Sequence, residues 1–364
     1  MKRIGKMVGH LIWIVNAVCT GLMILVAFSP MFDPTVHPIR STLGLAFPVF
    51  LVINIAFIIF WLIVYWKFAL LSIAGLLICC LPLRTYMPFN ISARKVPEQR
   101  IKFLSYNVMG FNHLVKKDGK NDILEYISQS NADIVCLQEY LTSQNTKYVT
   151  DKDVFAALSS YPYHHIQQIG EGKKSGNKIA CFSRYPILSA RMIPQESRYN
   201  GSVLYQILVE EDTLTVINNH LESNKLTIED KALYEDVIKS PEADKVKEGM
   251  RHLVRKLADA SAIRAVQVQK VAKEIEATQT PYLIVCGDFN DSPISYTHKT
   301  LTKNLKDAFV ESGNGLGISY NQNKFYFRID HILISPNLKS YRCTVDRSIK
   351  ESDHYPIWCY ITRR

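Results

Sequence analysis

The chain is 364 residues long, enough for two ordinary domains, and carries a formal charge of +10 and eight cysteines. The cysteines make no CxxC pair and no ladder of spacings, and several fall inside predicted strands; this excludes a disulfide scaffold and a zinc site and reads them as small buried hydrophobes. The charge admits phosphates, nucleic acid or acidic lipid as partners without choosing among them.

Three apolar stretches open the chain. Residues 10–28 contain no acidic or basic charge and are about long enough to cross a hydrocarbon core of roughly 30 Å. Residues 43–66 form a second stretch, with Trp61, Tyr65 and Trp66 gathered near its end as at a membrane interface, and residues 68–83 form a third. A cleaved signal peptide would explain only the first, and uncharged runs this long are uncommon in soluble helical cores, so three transmembrane helices are predicted. Lys2, Arg3 and Lys6 precede the first span, whereas residues 29–42 carry only Arg40 and Asp33. The positive-inside rule therefore puts the N-terminus in the cytoplasm and, after three crossings, the remainder outside it; Arg84, Arg94, Lys95 and Arg100 pull the other way. The expected organisation is a membrane region over 1–88, a linker over 89–99 and a second domain over 100–364, extracytoplasmic.

Residues 101–110 read as a strand ending at Asn107, an amide that could cap a turn or hold a phosphate oxygen. A helix with Ile123, Leu124 and Ile127 facing inward leads to a strand over 133–137, from which Gln138 and Glu139 emerge. Residues 178–186 give another strand closing on Arg184, a surface charge or a phosphate contact. A strand pair follows, 203–210 and 213–218, and its second member delivers His220, which reads as structural or catalytic. Residues 228–279 have helical spacing, with Pro241 and Gly249 expected to divide them and a basic face open to solvent.

The most informative stretch comes next. An apolar strand over 281–286 meets Gly287 and then presents Asp288 and Asn290 at its tip. A carboxylate there can take a proton or bind a cation, and an amide can orient a water; taken alone, GDFN also reads as a turn that closes a strand. Two acid–histidine dipeptides follow at strand boundaries, Asp330–His331 and Asp353–His354, before a closing strand over 357–361. Glu139 and Asp288 at equivalent strand ends suit a hard cation, since Mg²⁺ favours one or two carboxylates plus waters.

Taken in order, Asn107, the QE at 138–139, SRYP at 183–186, NNHL at 218–221, GDFN at 287–290, IDHIL at 329–333 and SDHYPI at 352–357 resemble the endonuclease/exonuclease/phosphatase superfamily. That group includes pancreatic deoxyribonuclease, abasic-site endonucleases, sphingomyelinases and inositol-phosphate phosphatases. The resemblance covers residues 100–364 and implies an α/β fold, a four-layered sandwich of two mixed sheets flanked by helices. It also implies site roles: Glu139 as principal metal ligand, with Asn107 and Asp353 assisting; Asp288 and Asn290 activating and orienting water. By the same resemblance His354 stabilises charge at phosphorus or protonates the leaving group, Asp330 holds it, and His220 sits where nucleases and sphingomyelinases carry histidine. Asn107, His220, Asn290 and Arg184 are the expected substrate contacts. The implied activity is Mg²⁺-dependent phosphoester hydrolysis, with Mn²⁺ as a substitute, on nucleic acid or phospholipid. A silent scaffold would have lost a GDFN or SDH residue, and none is lost. A transporter would show acidic residues or an inverted repeat in its spans, and neither is present.

Overall fold

Alternation at the two-residue period of a strand sorts each strand's side chains onto two faces. In β1 (Ile101–Asn107), Phe103 enters a core between two sheets while Leu104 and Tyr106 enter a second core on the outer face. In β8 (Tyr282–Asp288), Ile284 and Cys286 point inward and Leu283 and Val285 outward. Strands apolar on both faces need cover on both, and the fold supplies it. These features belong to a computed structural model that describes residues 2–91, 95–170, 177–197, 199–225, 227, 229–230, 243–322 and 325–364.

The first sheet runs, edge to edge, β13 (Leu338–Val345), β14 (Ile357–Arg363), β1, β2 (Ile134–Tyr140), β4 (Lys178–Ser183) and β3 (Tyr163–Gln168). The second runs β5 (Ile187–Ile193), β6 (Gly201–Val209), β7 (Asp212–His220), β8, β12 (Asp330–Ile334) and β9 (Lys306–Asp307). A hairpin of β10 (Tyr320–Gln322) and β11 (Phe325–Phe327) stands apart. Each sheet is mixed: β1 is parallel to β2, and β7 to β8. One helix, Asp122–Gln129, covers the outer face of the first sheet through Ile123, Leu124 and Ile127. The long helix Ala243–Ala277 covers the second through Val268 and Val271. The result is the expected four-layered sandwich. The long helix passes through Gly249 without a break; Pro241 lies outside the described residues.

At the N-terminus, helices α1 (Lys2–Ala27), α2 (Phe47–Val64) and α3 (Trp66–Ile78) pack on one another, and α3 bends by 66° into α4 (Cys80–Tyr86). Two of these are long and apolar enough to cross a membrane, three if the bent pair is one span. Their pattern is inverted relative to a soluble bundle. Leu11, Ile14, Val18, Ile63 and Leu77 face outward and exposed, whereas Asn16, Thr20, Asn54 and Ser72 are buried. Asn54 Oδ1 accepts from Thr20 Oγ1 at 2.7 Å and Ser72 Oγ at 3.1 Å, while Trp61 Nε1 donates to Asn16 Oδ1 at 3.0 Å. In lipid, where no hydrophobic effect drives helices together, a network of this kind can hold them. Asn54→Leu is therefore expected to cost the bundle about 1–2 kcal/mol, read by denaturing-detergent titration, because both hydroxyls lose their shared acceptor.

The bundle is not loosely tethered. Gly44, between α1 and α2, lies so close to the sandwich that a Cβ there would fall 2.0 Å from Ile294 O. Ile294 itself completes the apolar cluster of Met23, Phe47 and Leu51. Ser41 and Ser261 hydroxyls meet at 3.2 Å, and buried Arg328 donates through Nη2 to Thr85 O near the end of α4. Asn90 Nδ2 donates to Gly313 O at 2.6 Å, so the start of the expected linker is held in place.

Candidate active site

The inward parity of the strands decides which residues meet. Following Phe103 by steps of two reaches Asn107; following Ile284 reaches Asp288; following Leu214 and Val216 reaches His220; and Ile332 and Ile334 count back to Asp330. Register then sets His220 beside Asp288 and Asp288 beside Asp330 on three adjacent strands. The apolar inter-sheet core thus ends in a row of polar side chains at one edge of the sandwich.

Glu139 breaks this parity, and the backbone shows how. It sits at a bulge where β2 loses register with β4 and adopts φ +53°, a left-handed conformation uncommon outside glycine. That twist brings its carboxylate to the site in place of the outer face. Asn290 is also left-handed, at φ +52°, and donates through Nδ2 to Leu221 O at 2.9 Å. Gly287 takes φ +122°, and a Cβ there would stand 2.0 Å from Asn219 O; only glycine lets β8 lie so close to β7 and carry Asp288 against His220.

Asn107 Nδ2 donates to Glu139 Oε1 and Asp288 Oδ2, both at 3.1 Å, while its Oδ1 accepts from Met109 N. The amide therefore links two carboxylates through its nitrogen, while its oxygen takes one backbone donor. His354 Nδ1 lies 2.8 Å from Asp330 Oδ2, and its Nε2 lies 3.6 Å from Asp288 Oδ2. His220 Nε2 stands 3.5 Å from Glu139 and 3.8 Å from Asp288. Burial pushes the Asp288 carboxyl up to about 6. Burial would lower the His354 imidazole, but the Asp330 and Asp288 carboxylates override it and hold it well above its ordinary value.

A family model described as the Endonuclease/Exonuclease/phosphatase family matches residues 104–354, more than half of the chain. The chain belongs to the endonuclease/exonuclease/phosphatase family. A second model, a domain of unknown function (DUF8431), matches residues 9–86. No curated protein matches. Among solved structures, the family fold is shared with D. rerio TDP2 complexed with single strand DNA product, at 18% identity, TM-score 0.51, 72% of this chain and 99% of that one. It is shared also with the endonuclease/exonuclease/phosphatase from Beutenbergia cavernae, at 14% identity, TM-score 0.50, 73% of this chain and 72% of that one.

The family's enzymes hydrolyse phosphate esters and use divalent ions, and the donors here fit one. Glu139 and Asp353 line the same cavity as His220, Asp288, Asn290 and His354, and the Glu139 side chain keeps 35% of its surface open. Carboxylate oxygens on an accessible wall are hard donors of the kind Mg²⁺ takes. Ligand atoms of Asp288, Asp330 and His354 also lie within 4.8 Å of one another, but there the imidazole Nδ1 is committed to Asp330.

One expected contact is not brought in. Arg184 lies beyond the end of β4, paired with Asp133 at 3.2 Å, at the end of the first sheet opposite Glu139. Because β4 runs antiparallel to β2, a residue past its C-terminus reaches the start of β2, where Asp133 is. Arg184→Ala is accordingly expected to leave turnover within about twofold of the parent in a steady-state assay, since it removes only an exposed ion pair remote from the carboxylates. Residues that sequence reasoning missed include Tyr320, whose ring packs on His354 at 5.1 Å, and Arg264, buried on the long helix and 3.4 Å from Asp291. A lone arginine amid the basic face of residues 228–279 gave no signal of its inward turn.

Proposed function

We propose that the chain is a membrane-anchored, divalent-metal-dependent phosphodiesterase whose membrane region, connecting segment and catalytic domain follow the 1–88, 89–99 and 100–364 division. The observation that carries the reading is the convergence of Asn107, Glu139, His220, Asp288, Asp330 and His354 at one end of the inter-sheet core. Glu139 with Asp353 would hold Mg²⁺ or Mn²⁺, which supplies charge neutralisation at the phosphoryl oxygens when bound. Asp288 accepts a proton from water as the water oxygen bonds to phosphorus, and Asn290 beside it fixes the water's approach. The P–O bond to the leaving alcohol breaks, and His354 Nε2–H, oriented by Asp330, gives that oxygen its proton. Asn107 bridges the Glu139 and Asp288 carboxylates, and His220 stands beside both.

The extracytoplasmic reading combines helix connectivity with the charge of the N-terminus. Both the α1–α2 connection and the end of α4 touch the catalytic domain, so three crossings fit an N-terminus on the opposite face, which with Lys2, Arg3 and Lys6 favours an extracytoplasmic catalytic domain. The test is hydrolysis of a bis-aryl phosphodiester by detergent-solubilised full-length protein. Activity with Mg²⁺ or Mn²⁺, lost with chelator and regained on adding metal back, is the expected result; turnover indifferent to chelator would reject the metal-dependent reading.

A further inference from the structure

The catalytic cavity, about 240 Å³, is not built by the catalytic domain alone. Ser41, Thr42 and Leu45 form part of its wall together with Glu139, Asp288 and His354. Those first three residues fall within the candidate span Pro38–Val64, at its catalytic end. With Pro38–Val64 as a span, the opening beside these carboxylates would adjoin the depth at which a bilayer changes from hydrocarbon to head group.

The rest of the lining points the same way. Apolar side chains dominate the wall away from the carboxylates: Leu45, Leu257, Ile294, Phe325, Phe327 and Ile329. A nucleic-acid cleft needs several cations to meet successive phosphates. Among the described residues lining this cavity only Lys225 and Arg264 are lysine or arginine, and each is paired with an acid, Glu222 at 2.6 Å and Asp291 at 3.4 Å. The site offers room for one phosphate and a greasy neighbour.

Resting on the phosphodiesterase reading, we propose that the connection between the first two membrane helices is a working part of the active site, and that the substrate is a phospholipid phosphodiester entering from the membrane in which those helices sit. Leu45, Phe325 and Phe327 take the apolar portion next to the phosphate; the carboxylates and His354 take the ester. Docking of Gly44 on Ile294 and of Ser41 on Ser261 fixes this wall, so specificity is written into the anchor.

The experiment uses full-length protein in detergent micelles with three substrates: phospholipid in mixed micelles, a soluble bis-aryl phosphodiester, and a single-stranded oligonucleotide. Phospholipid is expected to be the preferred substrate by kcat/KM. Leu45→Asp is expected to lower the phospholipid-to-soluble-ester ratio by about tenfold or more, and Leu45→Met to restore it. Should Leu45→Asp not fold by thermal melting, Thr42→Trp narrows the same wall and reads the same ratio. Cleavage of the oligonucleotide or soluble ester without phospholipid, or a ratio indifferent to these substitutions, overturns the proposal while sparing the phosphodiesterase reading. Hydrolysis of none of the three overturns both.

Discussion

Asp288→Asn is expected to lower turnover on any phosphodiester by about 10²–10⁴-fold, the usual worth of a positioned general base, while the domain stays folded. The substitution keeps the shape. The backbone N–H of Asn290 donates to Asp288 Oδ1 at 2.8 Å, a bond that the oxygen of a carboxamide can also accept, and a buried charge is relieved. What it removes is the carboxylate that touches Asn107 and faces both histidines. His354→Ala should cost a similar amount, and the double variant little more than the worse single, since side chains 3.6 Å apart act in one step. The pH profile tells the two apart. In the proposed mechanism Asp288 would act as base only above its pKa, so the parent should lose activity as pH falls through about 6 or, with a cation bound, somewhat lower. In the same mechanism His354 would donate only below its own raised pKa, so an alkaline limb is expected well above the ordinary histidine range. Residual activity in Asp288→Asn should lack the acid limb. A variant retaining near-parental turnover and the same limb would remove Asp288 from the chemistry.

The largest expected loss of stability is at Gly287→Ala. A methyl group there meets the oxygen of Asn219 at 2.0 Å and its nitrogen at 2.8 Å, atoms of a neighbouring strand in the middle of a sheet. Unlike a flexible side chain, that backbone cannot swing away without breaking the β7–β8 ladder. Holding a non-glycine residue at φ +122° adds about 1–3 kcal/mol of strain. Together these place the cost at about 4 kcal/mol or more, in the range reserved for severe core lesions. Thermal or denaturant unfolding should show it directly, and a melting midpoint within a few degrees of the parent would mean that the two strands are not so closely apposed.

How much of this was legible beforehand follows from where each residue lies. Central strands announced themselves because they are apolar on both faces, and their inward parity carried Asn107, His220, Asp288 and Asp330 to the site. The edge strands β3, β5 and β13 are each exposed along part of their length and carry no unbroken apolar run, so their sequences resemble loops. Glu139 was identified by its motif, yet alternation alone would have sent it to the outer face; a bulge and a left-handed backbone are not visible in side-chain patterning. Arg184 read equally as a surface charge or a phosphate contact, and strand direction, which puts it beside Asp133 at the end opposite Glu139, could not be seen in SRYP. The wall formed by Ser41, Thr42 and Leu45 was illegible because nothing local distinguishes a docked helix connection from a free one.

Arg328 bears on how this enzyme can be handled. It stands two residues before the aspartate that orients His354, and its buried guanidinium lies over the Phe309 ring and donates to Thr85 O. A soluble fragment trimmed to residue 100 would strand that cation without its carbonyl and leave Ile294 bare. Such a fragment is expected to melt below the full-length chain in thermal unfolding, because it loses the Thr85 carbonyl and the apolar cover of Ile294.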